Sequence, residues 1–266
     1  MHQRVPSIMS RFSNLEFGGE SEDQSRHRIA PVKDEGFYLT QAQAAFENAS
    51  FDQALRMYSK VLEFNPQNAA AWIGQVRMLI ELGEFREAML WADKALEHFP
   101  HEPELLAAKA VALGRSGDSQ GAMAFSDASI EERGDSPYVW LARGDVLLSR
   151  EERRAEHCFE KALMLAPGEW LIRWLAARIH YYYKQFALAL KLLQQAVELN
   201  AGHFLLWLEL GQCQQALGLV GPARNSFTQA RQLNPECRDA HLALVRLAGS
   251  GVTSRLRGWL RRIFLR

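Results

Sequence analysis

Residues able to do covalent or metal chemistry are sparse in this chain and poorly grouped. Its 266 residues include eight histidines and three cysteines. The nearest approach to a metal motif is His98, His101 and Glu102, an HxxHE run interrupted by Pro100. A proline lacks an N–H and crowds the preceding turn, so the run falls in a loop rather than on one helix face, as HExxH requires. Two or three such ligands do not complete a tetrahedral site. His157 and Cys158 are neighbours, and adjacent side chains on a helix diverge by about 100°. Cys158, Cys213 and Cys237 show no CxxC spacing and read as free thiols of a reducing compartment. No glycine-rich phosphate loop or GxSxG elbow occurs. These residues point away from an enzyme, a metal centre or a bound cofactor.

Recognition chemistry is better represented. Trp170, Trp174, Tyr181, Tyr182 and Tyr183 crowd one short stretch, and Arg178 precedes Tyr182 by four residues, on the same face of a helix. Aromatic and arginine side chains are the types enriched at binding hot spots. Such side chains need a scaffold, and the scaffold is written in a repeat.

Ala54, Ala88, Ala122, Ala155, Ala189 and Ala223 recur at steps of 34, 34, 33, 34 and 34 residues. A small residue at fixed phase means that one tight backbone contact is built six times, the mark of a repeat architecture. The units begin at Glu35, Ala69, Pro103, Pro137, Trp170 and Phe204. Their fourth position is mostly large and aromatic (Tyr38, Trp72, Leu106, Trp140, Arg173, Trp207), and their eighth is Gly or Ala in all but Val76. Spacings of three and four, with Gly83, Gly117 and Gly218 at an internal break, predict two amphipathic helices per unit. Pro66, Pro100, Pro167 and Pro235 close four of the units. One helix pair cannot bury its apolar face alone, so the pairs must stack.

The run Trp207, Leu210, Gly211, Ala223, Phe227, Ala230, Pro235 resembles the tetratricopeptide repeat, as does Trp72, Gly83, Phe85, Ala88, Ala95, Pro100. The resemblance covers residues 35–248. It implies an all-α, right-handed superhelical solenoid of about six antiparallel helix pairs with a capping helix. It also implies that the first helices line a concave groove that binds a peptide or protein segment, the role of a scaffold or adaptor. On the family's groove positions stand Arg77, Glu81, Arg115, Asp145, Trp174, Arg178, Tyr181, Tyr182, Gln212 and Gln215. The carboxylate clamp of chaperone adaptors needs Lys and Asn where this chain has Leu39, Gln43, Gly74, Glu104 and Ala108, so a chaperone carboxyl terminus does not fit. The third unit departs from the pattern at Ser119, Ser126, Ser129 and Gly134 and is expected to be weak, and the fourth lacks one residue near Arg150–Arg154.

The chain is 48% hydrophobic, enough for a continuous core, and its formal net charge is zero, which gives no global field to draw nucleic acid. Residues 1–34 mix both charge signs with Ser, Gly and Pro and read as a disordered arm. No signal peptide or membrane span is evident, and the cytoplasm is the expected location. Residues 249–266 form a Gly-Ser-Gly joint and a basic segment, in which Leu256, Trp259, Leu260, Ile263 and Phe264 recur at helical spacing among Arg255, Arg257, Arg261, Arg262 and Arg266. Three readings stand: a cap on the solenoid, a helix docking in a partner, or an interfacial helix on anionic membrane. The last would make the protein a peripheral, membrane-associated assembly factor with Arg257, Trp259, Leu260, Arg261, Arg262, Ile263 and Phe264 as contacts.

Overall fold

The computed structural model describes residues 33–132 and 134–248, and within them every regular element is an α-helix. The arm and the basic tail lie outside the described residues, except for Lys33 and Asp34. The first helices of the six units are α1 (Glu35–Glu47), α3 (Ala69–Glu81), α5 (Pro103–Ser116), α7 (Pro137–Ser149), α9 (Trp170–Tyr182) and α11 (Phe204–Ala216). The second helices are α2 (Phe51–Phe64), α4 (Phe85–His98), α6 (Ser119–Glu132), α8 (Ala155–Leu165), α10 (Phe186–Leu199) and α12 (Val220–Leu233). A further helix, α13, occupies 238–248. Each first helix starts at the residue that opens its unit.

All six phase alanines are buried, none more than 1% exposed. The eighth position marks a second close contact. A Cβ on Gly144 would stand 2.7 Å from the ring of Phe159, and one on Gly211 would stand 2.6 Å from the ring of Phe227. The two helices of a unit touch there, and only a hydrogen fits beneath an aromatic ring. The large fourth position is anchored too. The indole N–H groups of Trp72, Trp140 and Trp207 each donate to a carbonyl six residues earlier, at Pro66, Gly134 and Ala201, over 2.7–2.8 Å. The tryptophan thus fills apolar space while tying down the loop that enters its unit.

Glycine at the internal turn has left-handed φ at Gly83, Gly117 and Gly218, and Ala49, Glu151 and Lys184 adopt the same region in the other units. The cause is a backbone bond made in all six units. The residue after the left-handed one donates five residues back, as in Ser50 to Ala45, Glu84 to Leu79 and Gln185 to His180, at 2.8–2.9 Å. This is the Schellman closure, and it demands a left-handed residue whatever the side chain. Lys184→Gly relieves a φ of 60° and is expected to stabilise the fold by roughly 0.5–1 kcal/mol, the left-handed penalty exceeding glycine's entropy cost. Chemical denaturation checks it; a loss of stability would mean that the Lys184 side chain makes a contact of its own.

In the third unit the buried side chains of α6 are Ala122, Ser126 and Ser129. Ser129 Oγ donates to the Ser126 carbonyl and the Arg143 guanidinium donates to Ser126 Oγ, so the hydroxyls are satisfied but contribute little apolar area. Ala110, Ala122 and Val146 make a small cluster separate from the main core. The fourth unit's missing residue falls before α8, which has 11 residues against 14 in the other second helices. Arg150 and Arg154 flank Glu152 across that shortened turn.

Candidate functional site

The concave face is built by the first helices, and its two halves differ. In the carboxyl-terminal half the superhelix meets itself. Arg178 on α9 donates to Glu81 on α3 through Nη2 at 2.5 Å and Nε at 3.0 Å, although 97 residues separate the two in sequence. Its Nη1 donates to Glu209 on α11 at 2.7 Å. The second carboxylate oxygen of Glu209 accepts from Trp174 Nε1 at 2.8 Å. Phe46 at the end of α1 lies 5.7 Å from the Trp174 ring, and the Arg178 guanidinium sits 4.7 Å from the ring of Phe51. The first unit therefore shares one apolar cluster with the fourth, fifth and sixth.

A second ionic group stands beside the first. Arg115 holds Asp145 with Nη2–Oδ2 at 2.6 Å, and Tyr183 donates its hydroxyl to Asp145 Oδ1 at 2.8 Å. The Arg115 guanidinium lies 4.2 Å from the ring of Tyr182. Arg77 stacks 4.0 Å from Tyr138 and 5.1 Å from Phe46. Three arginines face three carboxylates, which balances a cluster that water barely reaches. The space left between Arg77, Glu81, Arg115, Tyr138 and Asp145 is about 30 Å³, one water's share of volume.

Burial and charge set the protonation here. Burial opposes ionisation of Glu81, but Arg178, Arg115 and Arg77 outweigh it and hold its carboxyl below the ordinary range. For Glu209 burial prevails over Arg178 and Trp174, and its carboxyl titrates above the ordinary range. Behind them His180 is buried, its Nδ1 2.6 Å from Gln185 Oε1 and its ring 4.4 Å from Phe159. Burial pushes its pKa down, against the opposing pull of Gln185, Glu156 and Asp145. Above about pH 6.5 the ring is neutral folded or unfolded. Below that only the unfolded chain takes the proton, so stability present at neutral pH is lost as pH falls towards the folded value. The melting temperature should drop between pH 7.5 and 5.5, and His180→Gln should reduce the drop. An undiminished drop in that variant would assign the effect to other groups, such as His203, which is shifted the same way.

The amino-terminal half is open. A cleft of about 610 Å³ is lined by Leu39, Thr40, Gln43, Glu47, Ile73 and Arg77, among others, with Tyr58, Gly74 and Glu104 also in its wall. These are the places where the chaperone clamp would need Lys and Asn. Of the groove side chains singled out in the sequence, only Arg77 lines this cleft. Arg115, Asp145, Trp174 and Arg178 are brought together, but into contacts within the chain, and Trp174 has no exposed surface. Tyr182 covers Arg115 and remains 47% exposed; Tyr181 packs edge-on to Phe186; Gln212 is half-buried on α11. Arg257, Trp259, Leu260, Arg261, Arg262, Ile263 and Phe264 lie outside the described residues. Glu209, Phe46 and Phe51 were not singled out, yet Glu209 is the one charge in the apolar run Phe204–Cys213, a signal in itself.

The remaining candidates for chemistry are structural. His98 stacks on Trp72, and His101 pairs with Glu132 at 2.6 Å. Burial pushes the Cys213 thiol up to about 12, far from thiolate chemistry. Among the described residues no His, Cys, Asp and Glu side chains gather as a metal site, and no helix is long and apolar enough to cross a membrane.

Six helix pairs stacked in one register, with a concave face of first helices, define an α-solenoid of the tetratricopeptide type. A tetratricopeptide-repeat family model matches residues 45–112. Solved structures share the fold. A tetratricopeptide-repeat protein of Thermus thermophilus is 21% identical (68% of this chain, 99% of that one, TM-score 0.53), and one from Parabacteroides merdae is 16% identical (84% and 87%, TM-score 0.52). Yeast Tom70 is 16% identical, with a TM-score of 0.54 over 85% of this chain. The chain spans 48% of the Tom70 chain and 43% of a matching chain in the APC/C Cut9–Hcn1 heterotetramer. No curated protein matches the sequence. Part of the chain thus matches the tetratricopeptide repeat in sequence, and the whole described solenoid shares the fold of tetratricopeptide-repeat proteins.

Proposed function

We propose that the protein is an interaction scaffold that holds a peptide or protein segment in the amino-terminal half of its concave groove. The observation that carries this reading is the contrast between the open amino-terminal cleft and the filled interior beside it. The cleft over α1, α3 and α5 is open to about 610 Å³, whereas the space enclosed deeper in the groove, where α3, α5 and α7 meet α9, is about 30 Å³. A ligand side chain seated there meets an apolar floor of Leu39, Tyr58 and Ile73. Thr40, Gln43, Glu47 and Glu104 at the rim can bond a backbone or a basic side chain. Arg115, Asp145, Trp174 and Arg178 hold the superhelix closed in this reading and shape the groove from behind.

Thr40 and Gln43 are exposed, so arginine at both positions should block the cleft without disturbing the core. Affinity purification of the full-length protein identifies its partner, and Thr40→Arg/Gln43→Arg should then lower affinity for that partner by at least tenfold, about 1.4 kcal/mol, with an unchanged melting temperature. Undiminished binding by this variant would place the ligand outside the cleft.

A further inference from the structure

Of the three arginines in the concave cluster, Arg77 alone has no oxygen partner among the described residues. Arg115 holds Asp145, and Arg178 holds Glu81 and Glu209. Arg77, half-buried on α3, is held instead by the rings of Phe46 from the first unit and Tyr138 from the fourth. Contact with a ring leaves the planar set of N–H donors without an acceptor. The side chain lines the open cleft, and its freedom is already restricted by the rings. A guanidinium so fixed is a preorganised donor for a carboxylate.

Tyr58 is a second unmet group. It is 6% exposed and stands in the wall of the same cleft, and its hydroxyl has no hydrogen-bond partner among the described residues. A Cβ added at Gly74 would overlap Tyr58 Cζ, the atom that bears the hydroxyl. The hydroxyl end of the ring therefore lies against α3, the helix that carries Arg77. Burial raises the pKa of this hydroxyl most, Arg77 lowers it and Glu47 raises it, so one cation and one carboxylate stand within its electrostatic reach. Burial also raises that of Tyr138, with Arg77 opposing and Glu104 adding to the shift. The charges of the wall thus alternate, from Glu47 on α1 through Arg77 on α3 to Glu104 on α5. Among the described residues none of the three pairs with another. Glu47 accepts from Gln43, and Glu104 from Ser136, through one carboxylate oxygen each, so each has a second oxygen to offer.

We propose that the segment held in the cleft places an internal acidic side chain on Arg77 and Tyr58, with basic side chains on both sides of it facing Glu47 and Glu104. This ligand chemistry rests on the peptide cleft proposed above. A carboxylate takes two parallel N–H bonds from a guanidinium, and the Tyr58 hydroxyl donates to the same group. A free carboxyl terminus has no chain beyond Arg77 and would meet only one of the two glutamates. Arg77 is not one of the chaperone-clamp places, which here hold Leu39, Gln43, Gly74, Glu104 and Ala108.

Retention of synthetic nonapeptide pools by the full-length protein tests this. The peptides are acetylated and amidated, so their ends carry no charge. Their central residue is fixed as Glu, Gln, Lys or Leu, and the others are randomised. The Glu pool should be retained at least about tenfold better than the Gln pool, the effect of one charge-assisted pair. Its retained peptides should be enriched in Lys and Arg on both flanks. Arg77→Gln should abolish the preference for Glu, and Thr40→Arg/Gln43→Arg should block every pool. If Arg77→Gln lowers the melting temperature, Glu47→Lys reads the same site by turning the basic enrichment of one flank acidic; an unchanged flank would overturn the basic neighbours. Equal retention of the Glu and Gln pools, still blocked by the double variant, would overturn the acidic ligand and leave the cleft as a binding site. Retention of no pool, or retention indifferent to the double variant, would overturn cleft and ligand together.

Discussion

Arg178→Ala is expected to cost roughly 3–5 kcal/mol of folding stability, as removal of one partner from a buried ion pair does. The partial exposure of these side chains, 23% for Arg178, 17% for Glu81 and 13% for Glu209, sets the effect towards the lower end. Two carboxylates would lose their shared cation, and Glu81 would keep only Arg115 and Arg77 nearby. The change acts on shape as well as stability, because the Glu81–Arg178 bond joins the second unit to the fifth. Small-angle scattering should show a larger radius of gyration in the variant, the superhelix opening where Phe46 and Phe51 meet Trp174 and Arg178. Arg178→Lys should rescue little, since one ammonium cannot reproduce a planar fork that bonds two carboxylates at once. A stability change below 1 kcal/mol with unchanged dimensions would show that apolar contacts alone close the superhelix. Loss of ligand binding on changing Arg178 would then report altered groove shape rather than a lost contact.

The parts of this molecule that were legible in the sequence are those set by neighbours within one unit. The start of every first helix follows from the repeat, because Ala54 and its counterparts recur at one phase and are buried in every unit. The turns at Gly83, Gly117 and Gly218 were equally plain. Those at Ala49, Glu151 and Lys184 were hidden, since their conformation is imposed by a backbone hydrogen bond that accepts any side chain. Contacts across the superhelix were not legible at all. Whether Arg178 reaches Glu81 depends on the small rotation between successive units, accumulated over three of them, and no local spacing records that sum. Groove position alone therefore marked Arg115, Asp145, Trp174 and Arg178 as available to a ligand, when the pitch of the superhelix engages them with each other's neighbours. The open cleft went unremarked for a related reason. It is defined by what does not reach it.

The contact between the eighth position and the ring position of each unit should behave as one object. Its pairs are Ala42 with Tyr58, Val76 with Ala92, Ala110 with Ser126, Gly144 with Phe159, Ala177 with Leu193, and Gly211 with Phe227. Glycine stands opposite phenylalanine, and the largest eighth residue, Val76, stands opposite an alanine. Summed volume is similar in the second, fourth, fifth and sixth units while its division between the helices varies, as close packing favours; Ala110 with Ser126 falls short of it and Ala42 with Tyr58 exceeds it, the Tyr58 ring lying against Gly74. Phe227 is fully buried, and Phe227→Ala should cost about 3–5 kcal/mol. Gly211→Val should also destabilise, by roughly 1–3 kcal/mol or more, because its side chain would enter the space of the Phe227 ring, 2.6 Å from the first added carbon. Together they recreate the Val76–Ala92 arrangement of the second unit. The double variant should therefore be more stable than the sum of the two losses allows, by about 1–3 kcal/mol, the range of coupling between residues in contact. Urea denaturation of the four proteins of this cycle measures that term. Additive losses would mean that the helices of the sixth unit cannot shift to the spacing of the second, and that the compensation seen along the chain is built into backbone geometry rather than into the pair.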